Sequence, residues 1–102
     1  MLKPVFCILL LISSSVFARP EIIKEGILYY SDDFFQTGIV KDIIAEKNYE
    51  EVYQFYTYYE VIYDAEERVK VFKEYKKGEV IFEEHYQYAE DGTVTAEKVV
   101  GE

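Results

Sequence analysis

From Gly26 to Val100 the chain alternates stretches of β-branched and aromatic residues with short polar turns, and no proline interrupts it. That punctuation limits the fold more than any other feature. β-Branched and aromatic side chains suit a pleated, half-buried surface. Tyrosine supplies 11 residues in a chain that is 18% aromatic, so amphipathic rings must do much of the covering. The pattern predicts an all-β domain, a small antiparallel meander of about six strands.

The turns place the strands. Gly26 to Tyr30 reads as the first strand, and Ser31-Asp32-Asp33 bends the chain through short polar side chains. Phe35 to Ile44 reads as the second, with Gly38 as a bulge. Ala45-Glu46-Lys47-Asn48 turns, with Asn48 suited to positive φ. Glu51 to Tyr63 reads as a long third strand. A helix within Ile39 to Tyr53 competes there, because Ile43, Ile44, Ala45, Glu46 and Lys47 form a helical patch. Asp64 to Glu67 turns without the expected glycine. Arg68 to Tyr75, Glu79 to Tyr88 and Thr93 to Val100 complete the set. Lys77-Gly78 and Ala89-Glu90-Asp91-Gly92 join them as hairpin turns.

The alternation also assigns faces. In the third strand Tyr53, Phe55, Tyr59, Val61 and Tyr63 fall on one side. Val52, Tyr56, Tyr58 and Ile62 fall on the other. A strand apolar on both sides belongs in the middle of a sheet. In the fifth strand Val80, Phe82, Tyr86 and Tyr88 share a face with Glu84, opposite Ile81, Glu83, His85 and Gln87. The first strand is the less guarded edge, whereas Glu97 and Lys98 protect the last one.

The hairpins are self-similar. Lys73-Glu74-Tyr75-Lys76-Lys77-Gly78-Glu79-Val80 and His85-Tyr86-Gln87-Tyr88-Ala89-Glu90-Asp91-Gly92-Thr93-Val94 share one plan. An aromatic leads into a polar loop, glycine, a polar residue and an aliphatic. Tyr59 to Val69 repeats it with Glu67 in the glycine's place. Ile44 to Tyr49 is a degenerate copy in which Asn48 stands in. This plan resembles the variant MORN repeats of bacterial proteins labelled YwqK-like antitoxins. It also resembles the related tyrosine–aspartate hairpin repeats of exported bacterial proteins. The likeness spans roughly Gly26 to Val99. It implies an antiparallel meander of hairpins and no catalytic residue.

The chain opens with an address. Met1 to Pro4 is short and basic, Val5 to Ile12 is apolar, and Ser13 to Ala18 is a small-residue exit. Residues 1–18 read as a signal peptide cut after Ala18. The apolar run is too short for a bilayer, which needs roughly 20 residues, so a retained anchor is the weaker reading. Cys7 lies inside that run, away from any lipid-attachment position. Residues 19–25 form a short linker and residues 26–100 the β-hairpin repeat domain. The expected destination is outside the inner membrane: periplasm, cell surface or medium. Export fits poorly with neutralising a toxin in the cytoplasm.

Cleavage takes away one lysine, Lys3, and no acid, so the net charge moves from −9 to −10. Polyanions are repelled, which argues against nucleic acid. It argues equally against an anionic membrane surface, and no stable membrane insertion is expected after cleavage. The only cysteine is lost, so no disulfide staples the domain.

Catalytic chemistry finds little support. His85 is the single histidine and lacks a second imidazole or a thiol for a metal. The acidic pairs Asp32-Asp33, Glu50-Glu51, Glu66-Glu67, Glu83-Glu84 and Glu90-Asp91 lack the spacing of a calcium loop. The reading is therefore of a non-enzyme without cofactor or metal. Exposed tyrosine gives contact area at low entropic cost, and Tyr56, Tyr58, Tyr75, Tyr86 and Tyr88 are the candidate contact surface. An unidentified protein partner is expected. The alternative is an inhibitor or immunity-type protein whose acidic surface covers a basic enzyme or toxin.

Overall fold

Lys77 and Gly78 both take positive φ, 54° and 79°, and the long strands on either side fold back on each other there. The same device closes the other hairpins. Gly92 adopts φ 94°, and Glu67 adopts φ 65° at the position where the repeat plan expects glycine. Its loop is held instead by Asp64, whose carboxylate accepts from the backbone N–H groups of Glu66 and Arg68, each at 2.9 Å.

The computed structural model describes Pro20 and residues 22–101; the expected signal peptide, residues 1–18, lies outside the described residues. The chain forms β1 (Leu28–Ser31), β2 (Phe34–Thr37), β3 (Val40–Ile43), α1 (Tyr49–Val52), β4 (Thr57–Tyr63), β5 (Val69–Lys76), β6 (Glu79–Tyr88) and β7 (Val94–Val100). The main sheet has five strands in the order β1-β4-β5-β6-β7, and β2 pairs with β3 apart from it. All pairings are antiparallel. The architecture is all-β, and β4 to β7 form a meander.

Two of the expected strands are otherwise. The span Phe35 to Ile44 is a hairpin and not one bulged strand. Gly38 at φ 62° reverses the chain, so Phe34 faces Ile43 and Thr37 faces Val40. The span Glu51 to Tyr56 is not strand. Asn48 is extended, at φ −70°, and leads into the single turn of α1, while Ala45 takes the positive φ of 60°. The strand itself starts at Thr57, and it does lie between β1 and β5.

The β2–β3 hairpin covers one face of the sheet. Tyr29, Val61, Tyr63, Val69, Phe72 and Tyr86 form a buried cluster with Ile43 of the hairpin. The Phe34 ring sits 4.9 Å from Tyr59 and 5.5 Å from Phe72. Two polar contacts fasten this layer. The Tyr63 hydroxyl donates to Asp42 Oδ1 at 2.6 Å, and Ile43 N–H donates to the same oxygen at 2.7 Å. Lys41 N–H donates to the Tyr86 hydroxyl at 3.2 Å, which in turn donates to Glu84 at 2.8 Å. Buried polar groups held in this way avoid the desolvation penalty of an unmade bond.

The β1 edge is shielded after all. Lys47 N–H donates to the Tyr30 carbonyl at 2.7 Å, and the Ser31 hydroxyl hydrogen-bonds the Ile44 carbonyl. Ala45 reaches that position only through the left-handed conformation, which disfavours a residue with a Cβ by about 1–2 kcal/mol. Ala45→Gly is therefore expected to stabilise the domain by about 0.5–1 kcal/mol, after glycine's greater unfolded freedom is counted. Denaturant unfolding measures it, and a less stable variant would contradict the account.

Candidate functional site

The face of the sheet that the hairpin leaves uncovered is built by strand register. Tyr30 of β1 stands opposite Glu60 of β4, Glu60 opposite Lys73 of β5, and Lys73 opposite Glu83 of β6. Opposed residues in antiparallel strands share a face, so these four side chains form one row. Glu60 is only 5% exposed, although it stands on the face opposite the hairpin. Its carboxylate accepts from the Tyr75 hydroxyl at 3.3 Å and pairs with Lys73 Nζ at 3.5 Å. The Tyr30 hydroxyl bonds it as well.

That surrounding shifts the tyrosines. Burial pushes the Tyr30 and Tyr75 hydroxyls well above the ordinary tyrosine range, and the adjoining Glu60 charge pushes both further. Burial also raises Tyr58, with smaller effects from Tyr49 and Glu60. These hydroxyls therefore act as neutral donors and not as bases or nucleophiles at physiological pH.

Aromatic rings continue the site beyond the sheet. Tyr58 and Tyr75 stack with centroids 4.7 Å apart and planes at 7°. Tyr30 lies 6.4 Å from Tyr58 and 5.0 Å from Tyr49. Tyr49 stacks on Tyr53 at 5.4 Å, because positions four apart meet on a helix turn. A file of five rings thus runs from the middle of the sheet to α1. Its outer end is wet: Tyr49, Tyr53, Phe55 and Tyr56 are all exposed.

His85 shares this face with Glu83, two residues before it, and its Nε2 lies 2.6 Å from the Glu83 carboxylate. Across the strand it faces Glu97. Among the described residues no three His, Cys, Asp or Glu side chains converge as metal ligands.

The five tyrosines singled out from the sequence do not share one surface. Tyr58 and Tyr75 stack on the uncovered face, where Tyr58 is 4% exposed. Tyr56 stands at its margin and is 61% exposed. Tyr86 is buried in the core beneath the hairpin. Tyr88 lies half-buried on that same side, donating to the Val69 carbonyl at 2.7 Å under the Arg68 guanidinium. Tyr30, Tyr49 and Tyr53 join the site instead. Tyr30 was hidden because the sequence does not say which strand β1 pairs with, and it pairs with β4 and not with its neighbour in the chain. Tyr49 and Tyr53 were hidden because four-residue spacing carries no meaning in a strand reading.

A second concavity lies on the opposite side. Phe35, Thr37, Val40 and Asp42 of the hairpin face Glu67, Arg68, Val69 and Tyr88 across a cleft of about 290 Å³. Comparison with family models, curated proteins and solved structures finds no match for the chain.

The tyrosine–carboxylate cluster makes the domain sensitive to alkali. A tyrosine in the unfolded chain ionises near pH 10, and the folded state holds the protons of Tyr30, Tyr75 and Tyr86 more tightly. Their contribution is complete below that pH and is lost as pH rises above it towards the folded values. Unfolding free energy is thus expected to fall above about pH 10, and Tyr75→Phe to flatten the fall. Ultraviolet titration in which every tyrosine ionised near its ordinary pH would contradict it.

Proposed function

We propose that the chain is an exported, non-enzymatic β-repeat domain that acts by binding another protein through its tyrosine file. The observation that carries this reading is the file itself, Tyr75-Tyr58-Tyr30-Tyr49-Tyr53, anchored in the sheet and exposed at α1. Rigid rings lose little entropy on binding and present both apolar area and hydroxyls. The inner rings are fixed by Glu60, so the outer ones project from a firm base. The signal-like residues 1–18 support export, and the hairpin plan supports kinship with the MORN-like repeat proteins.

The partner's chemistry follows from charge. With 20 acidic against 11 basic residues, the chain favours a basic protein surface. Glu50 and Glu51 stand on α1 itself, beside the exposed rings. The reading as an inhibitor or immunity-type protein differs only in what is covered: the basic surface then carries an active site. Loss of the partner's activity on binding separates the two.

Tyr53→Ser with Tyr56→Ser is the direct test. Both rings are exposed, so stability should change by less than about 1 kcal/mol. Capture of the partner from envelope or culture-medium fractions should fall by about tenfold or more, equivalent to about 1.4 kcal/mol. Raising salt from about 0.1 to about 1 M, where screening shortens from about 10 to about 3 Å, should also release it. Capture unaffected by the double substitution would remove Tyr53, the exposed end of the tyrosine file, together with Tyr56 from the interface. His85→Ala is expected to leave capture intact.

A further inference from the structure

Among the described residues tyrosine is the side chain that most readily gives up one electron. The chain has no tryptophan, and its single cysteine and single methionine are Cys7 and Met1. The tyrosine file links these oxidisable groups in a row. From Tyr75 through Tyr58, Tyr30 and Tyr49 to Tyr53, ring centroids follow one another at 4.7, 6.4, 5.0 and 5.4 Å. Every step lies within the contact range of aromatic pairs, so adjacent π-systems meet. Tyr58 in the inner part is 4% exposed, whereas Tyr53 at the outer end is 51% exposed.

The inner part also has a base. A phenol that loses an electron becomes a strong acid, and the radical forms at modest cost only if the proton leaves in the same event. The Glu60 carboxylate is held where that proton would go. It accepts from the Tyr75 hydroxyl at 3.3 Å and from the Tyr30 hydroxyl. Lys73 Nζ fixes it from 3.5 Å. A carboxylate positioned at a hydroxyl serves proton transfer without further rearrangement. The Tyr58 hydroxyl bonds that of Tyr49, which is neutral and no base. Tyr58 and Tyr49 are thus fit to pass an electron on, and Tyr30 and Tyr75 to remain oxidised.

We propose that Tyr30, Glu60 and Tyr75 form a site that holds one oxidising equivalent, reached from solvent through Tyr53 and Tyr49. The substrate class is a one-electron oxidant such as a peroxyl radical. The oxidant takes one electron at Tyr53 and becomes a hydroperoxide by adding a proton from water. Tyr49 and then Tyr30 replace that electron, so Tyr53 and Tyr49 end unchanged. At Tyr30 or Tyr75 the O–H bond breaks, the electron passes outward along the file and the proton goes to Glu60. A one-electron reductant reverses the step, and Glu60 returns the proton. The site goes beyond partner binding and does not depend on it.

The test oxidises the full chain with photogenerated ruthenium(III) tris-bipyridine. Transient absorption and electron paramagnetic resonance follow the tyrosyl radical, and fluorescence follows dityrosine, the product when exposed radicals of two chains couple. The parent is expected to give a long-lived radical and little dityrosine. Glu60→Gln keeps an acceptor oxygen but no base. It is expected to shorten the lifetime by about tenfold or more, the scale of a hydrogen bond to a charged group. Tyr49→Phe keeps the ring of an exposed residue and interrupts the path, so the radical should stay on Tyr53 and dityrosine should rise. That variant carries the test should Glu60→Gln not fold, as judged by circular dichroism. A parent radical no longer-lived than that of the denatured chain would overturn the proposal. So would equal lifetimes and equal dityrosine in the parent and Tyr49→Phe.

Discussion

The structure depends on how the β2–β3 hairpin is fastened to the sheet. One carboxylate and one hydroxyl do it. Asp42 receives the Tyr63 hydroxyl, and Tyr86 bridges Lys41 N–H to Glu84. Each contact joins the hairpin to a buried ring of the sheet, so apolar packing and hydrogen bonding fix the same register. A slip of one residue along β3 would turn Asp42 outward and lose both. The buried cluster around Phe72, the acidic cleft and the identity of the uncovered face all follow from that docking.

The two faces of the sheet solve one problem in different ways. A domain this small without a disulfide has little apolar surface to spare. One face is covered by a second layer. The other is covered by its own side chains: Tyr58 lies on Tyr75, Tyr30 leans across Tyr58, and Glu60 is closed in beneath their hydroxyls. A carboxylate in that position is tolerated because Lys73 and two tyrosines satisfy it. In the proposed function the same arrangement serves as the contact surface. Rings held in place by their neighbours have less freedom to lose when a partner arrives.

Turn chemistry was the most legible part of the sequence. Gly78 and Gly92 mark hairpins, and the position of Glu67 was readable as a glycine site even without glycine, since its φ is 65°. The β2–β3 reversal was harder to read. Gly38 sits within an otherwise continuous apolar and β-branched run, where a bulge and a turn look alike. The short α1 was obscured because Tyr49, Val52 and Tyr53 have strand-forming side chains, and packing of Val52 overrides that preference. Of the candidate tyrosines, Tyr58 and Tyr75 were placed by alternation on a plausible face. Tyr86 and Tyr88 could not be told from them, because alternation gives two faces and not which one is covered.

By itself the sequence determined the class of fold. Polar turns and strands rich in β-branched and aromatic residues favour an antiparallel sheet over helix for most of the chain. It also determined the acidity of the chain. The tertiary structure alone decided which face was sealed, because that depends on where the β2–β3 hairpin folds back. It alone brought Tyr49 of α1 to the Tyr30 ring of β1, two residues that no local period connects. The cleft has the same origin: Asp42 and Glu67 are distant in the chain, and only the hairpin's return over the sheet makes them line one concavity.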